Sequence, residues 1–383
     1  MKGRKFITAF LLIVILLFSN ISCSHKITIE KEKPDVSLKT TQIERKETEK
    51  PDASSLKFST LYNENLFTIS CIFYLTGPDD EEILSDWENQ LGKEVMKELK
   101  KNFPEDFKYF NNPLRKKIKE DLNKIDLKIF EKITSESKFR KYNSFSVKLG
   151  LMEDAIKISK DEFFNKYELI REFYEEAEIH DLYLKYEDDF EEILEEYKKT
   201  FPEVIKSIRD YLRLEEPEEN EIIYAMNFLD INFGGYYSRS PDKIYIYSKF
   251  DLYYTVLAHE YIHTVTEPLL FTYENYKLFN KYKELMQLLR DKGMDRAYNT
   301  WTMIVDNSLT QSIAFRILFS DDEKKLNYKI RVNEKVGLIL VKHFNEKLKE
   351  YEKKDIKFED FLPEMLSTID IEKEKEEFIR DNK

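Results

Sequence analysis

Glycine is scarce, with eight in 383 residues. The chain has no glycine-rich loop to cradle a phosphate and no G-x-S-x-G elbow for a serine nucleophile, which disfavours nucleotide-dependent and serine-hydrolase chemistry. Cysteine is scarcer still, at Cys23 and Cys71 only, so no framework of disulfides holds the chain. Basic charge is not in excess. The formal net charge is −12, and no basic stripe interleaves with glycine or aromatics, so nucleic acid is disfavoured as a partner. The apolar run Phe6 to Phe18 has thirteen residues, short of the roughly 20 that a membrane-spanning helix needs. Histidine is also rare, with five in all.

The start of the chain reads as an export signal over residues 1–22. Lys2, Arg4 and Lys5 precede the apolar run, and Asn20-Ile21-Ser22-Cys23 follows it. A small residue before a cysteine at that place resembles a bacterial lipobox, although Asn20 stands where leucine is usual. Cleavage would leave a lipidated Cys23 and a lipid-anchored protein of the bacterial cell envelope, on its periplasmic or surface side; a plainly secreted product is the runner-up. The +3 removed from −12 leaves the mature chain at −15. Residues 23–55 are rich in Lys, Glu, Thr, Ser and Pro and read as a flexible tether. Cys71, in an apolar stretch, reads as a buried small hydrophobe.

The folded body is expected from residue 56, with a mainly helical part over 56–220 and a metal-binding part over 221–383. An apolar content of 42% supports a real core. Stripes such as Phe163-Tyr167-Ile170-Tyr174-Ala177 and Tyr183-Tyr186-Phe190-Ile193-Tyr197 recur at helical spacing and read as core rather than as a ligand surface. His180 and His343 fall on helices and read as structural. The texture changes near 221. Glu221 to Leu229 reads as a strand, Asn232 to Tyr237 as a turn with two glycines, and Lys243 to Ser248 as a second strand. The stretch Ile244 to Ser248 is expected at a sheet edge, free to pair with an extended peptide. Asp251 is placed to cap a helix from Leu252 to about Thr266, ended by Pro268. Further helices are expected over Phe271–Leu289 and Tyr298–Phe319, then a long one opened by Asp321-Asp322 and a charged one over 359–381.

Two of the five histidines lie in His259-Glu260-Tyr261-Ile262-His263. Positions i and i+4 share one helix face, with Leu252 and Val256 on the same stripe. Two imidazoles so placed can share a Zn2+ ion, and a glutamate beside the first can act as the base for a water. On that chemistry His259 and His263 are metal ligands and Glu260 is the catalytic residue. A catalytic zinc wants a third protein ligand. Glu267 is one candidate but lies a further turn along, so it reads as supporting or structural. Asp306 is the other. It is the only acidic residue between Arg296 and Phe319, on a helix that can pack beside the first. Tyr236 and Tyr237 are candidate donors to an oxyanion.

Leu257-Ala258-His259-Glu260-Tyr261-Ile262-His263 resembles the zincin metallopeptidases. The downstream helix suggests the gluzincin branch, in which the third ligand is a glutamate on a following helix. With Gly234-Gly235-Tyr236-Tyr237 and the next strand, the chain is more closely similar to a bacterial envelope family known only as a domain of unknown function with an H-E-x-x-H motif. The resemblance covers about 56–340, and its specific part is about 220–320. Where that family has asparagine then glutamate, this chain has Asp306 then Asn307. The third ligand is then Asp306, with Asn307 as the alternative, or the site is impaired.

The expected fold is α+β and predominantly helical, a zincin-like domain with a small antiparallel sheet beside the H-E-x-x-H helix. The expected function is zinc-dependent hydrolysis of peptide bonds in a peptide or protein substrate, with membrane attachment through lipid on Cys23. The alternative is a catalytically inactive lipoprotein that binds a peptide or an envelope partner.

Overall fold

A computed structural model describes residues 57–381 except 79, 103, 108–109, 111, 126–127, 129–144, 215–219, 230–233, 250–254, 293 and 295–297. The expected signal, Cys23 and tether lie outside the described residues, as do Asp251 and Leu252 at the expected start of the metal helix. Among the described residues no helix is long and apolar enough to cross a membrane.

The fold is α+β and predominantly helical. After β1 (Phe58–Leu61) come α1 (Glu64–Thr76), α2 (Asp80–Leu91), α3 (Lys93–Asn102), α4 (Pro113–Leu122), α5 (Phe145–Lys157), α6 (Lys160–Lys166), α7 (Glu168–Glu176) and the long α8 (Ile179–Leu212). Then β2 (Glu221–Asn227), β3 (Gly235–Ser240) and β4 (Lys243–Lys249) lead into α9 (Thr255–Leu270). The chain closes with α10 (Tyr273–Asn280), α11 (Leu285–Asp291), α12 (Trp301–Phe319), α13 (Glu323–Lys335), α14 (Val341–Tyr351), α15 (Phe358–Ser367) and α16 (Ile371–Asp381).

The sheet is mixed, not antiparallel as the sequence suggests. Its order is β1-β2-β4-β3. β1 and β4 pair parallel to β2, and β3 pairs antiparallel to β4. Three residues of the Gly-Gly-Tyr-Tyr stretch are therefore strand: β3 begins at Gly235 and carries the chain to the sheet edge before β4 returns beside β2. In consequence β4 is paired on both sides and cannot receive an extended peptide. β2 is buried at every position after Glu221, as befits an interior strand whose two faces are both covered. Tyr197 of α8 stacks on Tyr224 of β2 with centroids 5.0 Å apart.

The helical stripes are core. Phe163, Ile170, Tyr183, Tyr186, Phe190 and Tyr197 are all buried, each such side chain contributing about 1.5–3 kcal/mol of transfer free energy. Cys71 is buried in α1. His343 is buried with Nε2 3.0 Å from the Met365 carbonyl oxygen, and His180 lies by Glu64 at the surface; both are away from the H-E-x-x-H helix. The expected long helix after Asp322 is two, because Gly337 sits at φ 101° between α13 and α14. A Cβ there would also meet the Met294 carbonyl oxygen at 2.9 Å. The expected Phe271–Leu289 helix is likewise split, into α10 and α11.

α9 does not stop at Pro268. It runs on to Leu270 with Pro268 inside it. Proline has no amide hydrogen, so the Thr264 carbonyl lacks its helical donor. The Arg239 guanidinium, from β3, donates to that carbonyl instead. Left unpaired, the buried acceptor would cost about 1–3 kcal/mol.

Candidate metal centre

α9 lies between the sheet and α12, packing on β3 and β4 on one side and on α12 on the other. Its whole stretch from Val256 to Thr264 is buried. α12 is capped by Thr300, whose side chain accepts from the Met303 amide. Within this otherwise apolar helix Asp306, Asn307, Ser308, Thr310, Gln311 and Ser312 are all buried. Polar side chains are costly to bury unless they have partners. Here Asp306, Asn307, Thr310 and Gln311 meet His259, His263 and Thr266 of α9, and Ser312 donates to the Val341 carbonyl of α14.

His259 and His263 project from successive turns, and their Nε2 atoms are 2.8 Å apart. That separation is an ordinary hydrogen-bond distance. The rings stand nearly perpendicular, at 86°. Asp306 lies on the other side of the His263 ring, its Oδ1 3.2 Å from Nδ1. Thr310 Oγ1 is 3.3 Å from the same nitrogen, and Glu267 Oε1 is 3.7 Å from it. Tyr237 donates its hydroxyl to the other Glu267 oxygen, and its ring lies at 19° to the His263 imidazole with centroids 6.3 Å apart. The ligand atoms of His263, Glu267 and Asp306 all fall within 4.8 Å of one another, so this buried His/Glu/Asp group can hold a metal ion.

Charge follows the same layout. Burial pushes the His263 imidazole down, but the Asp306 carboxylate, with Glu267 and Glu260, outweighs it and holds the pKa up at about 9. His259 is held well below the ordinary imidazole value by burial and by the His263 charge, against the opposing influence of Asn307 and Gln311 from α12. Only one of two nitrogens 2.8 Å apart carries the proton between them.

Glu260 is 1% exposed, and among the described residues neither of its oxygens has a hydrogen-bond partner. Burial lifts its pKa to about 8; the charge of His263 opposes this, and those of Glu267 and Asp306 add to it. Its carboxyl lies against Gly235 of β3, where a Cβ would meet Oε1 at 2.5 Å and Val256 Cγ1 at 2.6 Å. His259 Nδ1 and Asn307 Oδ1 are likewise buried. Asn307 donates its amide to the Met303 carbonyl.

Residues 138–368 match the model of a domain of unknown function, DUF4932. The chain belongs to this family. The DUF4932 match takes in β2 to β4, α9 and α12, and so every residue of the polar cluster. No curated protein and no solved structure matches the chain.

The structure brings His259, Glu260, His263, Asp306 and Asn307 into one buried layer. Asp306 meets His263 at Nδ1, the nitrogen turned away from His259, while Asn307 faces His259. Tyr236 is half-buried, its ring 5.8 Å from that of Tyr247 and 6.4 Å from that of Tyr237. Thr310, Gln311 and Arg239 have no place in the sequence reading, and Tyr237 enters it as an oxyanion donor, not as a support for Glu267 and His263. One signal was present: the run Asp306-Asn307-Ser308, then Thr310-Gln311-Ser312, is too polar for a core helix that has no polar partner.

Proposed function

We propose that this chain is a zinc-dependent metallopeptidase of the bacterial cell envelope, with its ion between His259 Nε2 and His263 Nε2. The observation that carries the reading is the convergence of those two nitrogens at 2.8 Å beside a buried carboxylate, Glu260, that has no partner among the described residues. Burial without a partner favours the protonated form of this carboxyl, in line with its pKa of about 8, because an unpaired buried charge is costly. A cation beside it removes that cost, so the residues fit a divalent ion. Imidazole donors suit zinc.

Asp306 would hold His263 with Nδ1–H directed at its carboxylate, leaving the Nε2 lone pair for the ion. Glu267 and Tyr237 would fix the same ring from the next turn and from the sheet. A zinc ion held there supplies Lewis acidity, which makes a water a stronger nucleophile and polarises a peptide carbonyl. Glu260 would take the proton of the attacking water and return it to the leaving amine. Its raised pKa suits both acts near neutral pH. The anchor at Cys23 and the tether to residue 55 would hold the body at a membrane surface and limit the substrate to envelope peptides or proteins.

A second reading has its own support. The side chains from α12 that face His259 are the neutral Asn307 and Gln311, not a carboxylate, and the two imidazoles have no solvent exposure. Both suit an inactive relative that keeps the metal and binds a peptide or envelope partner. Incubating the zinc-loaded protein with a peptide library and reading new termini by mass spectrometry separates the two. Cleavage by the wild type that is absent in Glu260→Gln with zinc retained supports the peptidase. Zinc without cleavage supports the binder. Radiolabelled palmitate in the wild type and not in Cys23→Ala tests the anchor.

A further inference from the structure

The α9-facing row of β3 is Gly235, Tyr237 and Arg239, alternate residues on one face of a strand. Each meets a different part of the cluster. Gly235 makes room for the Glu260 carboxyl. Tyr237 donates to Glu267 and lies along the His263 ring. Arg239 donates to the Thr264 carbonyl.

The third contact decides where the helix ends. In an unbroken helix the amide of residue 268 would donate to the Thr264 carbonyl. Pro268 has no such hydrogen, and a proline inside a helix ordinarily breaks or kinks it. Yet the hydrogen-bonded ladder continues, with the Phe271 amide donating to the Glu267 carbonyl at 3.0 Å. Glu267 is the residue just before the proline, and it must stay on the helix to keep its carboxylate 3.7 Å from His263 Nδ1. We infer that Arg239 is a positioning residue, supplying the donor that Pro268 lacks and so holding Glu267 against His263. This rests on the reading of His263 as a metal ligand, and it adds a residue from the sheet edge that acts on the site through the helix backbone.

The substitution that removes the proline tests it. Alanine in place of Pro268 would carry an amide hydrogen and satisfy Thr264 itself, so Pro268→Ala should make Arg239 dispensable. Two quantities are measured on the full chain: amide exchange of residues 269–271, and affinity for zinc alone by competition with a chromophoric chelator. Arg239→Ala is expected to speed exchange at 269–271 and to weaken zinc binding about 10–100-fold, the usual range for the loss of an outer supporting contact. Pro268→Ala alone should leave both near wild type, and the double variant should return both to within a few-fold of wild type. Unchanged exchange in Arg239→Ala, or a double variant as impaired as Arg239→Ala, overturns the inference. Failure of the wild type to bind zinc overturns the reading of the metal site instead, and the exchange data still decide the role of Arg239.

Discussion

His263 Nδ1 lies 3.2 Å from Asp306 Oδ1, on the side of the ring opposite His259. An imidazole pinned in this way has one nitrogen committed to a carboxylate and the other aimed at its neighbour on the helix. The two helices thus divide the work between them, α9 offering the Nε2 pair and α12 orienting it.

If Asp306 orients His263 without itself binding the ion, Asp306→Asn keeps the shape and loses the charge. Zinc affinity should then fall about 10–100-fold while binding persists. Complete loss of zinc in a competition titration would instead make Asp306 a direct ligand.

Asn307 is buried and faces His259 from α12. The isosteric Asn307→Asp offers a charged donor at the same place. Its zinc affinity should rise by about tenfold or more, since carboxylate oxygen is an ordinary zinc ligand and carboxamide is not. Equal or weaker binding would show that the Asn307 side chain does not reach the ion.

Gly235 has no room for a methyl group. Gly235→Ala should displace the Glu260 carboxyl while leaving both imidazoles in place, at an overpacking cost of about 1–3 kcal/mol. Zinc content should stay at the wild-type level and any hydrolysis should drop by about 100-fold or more, the scale of a small misplacement in a catalytic group. Wild-type turnover in this variant would mean that the Glu260 position does not matter to the reaction.

Of this architecture, the periodic parts are legible in the sequence. The His259–His263 spacing places both rings on one helix face whatever the surrounding fold. The aromatic stripes of α6 to α8 announce their burial through helical spacing alone. What stays hidden depends on residues distant in the chain. The extension of α9 past Pro268 needs Arg239, on a strand that local pattern disguises as a turn because Gly234-Gly235 opens it. Which nitrogen of His263 Asp306 would meet depends on the rotation of α12 against α9, and periodicity within one helix carries no information about that rotation.

Far from the metal cluster, Glu374 of α16 is 4% exposed. Burial raises its pKa to about 8, with the charges of Glu377 and Glu334 adding and those of Lys373 and Lys342 opposing. For an acid whose folded-state value exceeds the ordinary 4.5, the folded protein binds more protons than the unfolded chain. Its contribution to stability therefore declines as pH rises from about 4.5 to about 8. Glu374→Gln removes that dependence, so its stability relative to wild type should increase across the same window. Denaturant midpoints of the two proteins at pH 5 and pH 8 give the comparison, and a constant difference would contradict it.

The central claim is that His259 and His263 share one zinc ion. The most direct measurement is the metal content of the purified wild type, Glu260→Gln and His263→Ala proteins after zinc loading and removal of free metal. About one zinc per chain is expected in the first two and none in the third, since one of two paired imidazole ligands is removed. A wild-type protein that retains no zinc, or a His263→Ala protein that retains as much, would contradict it.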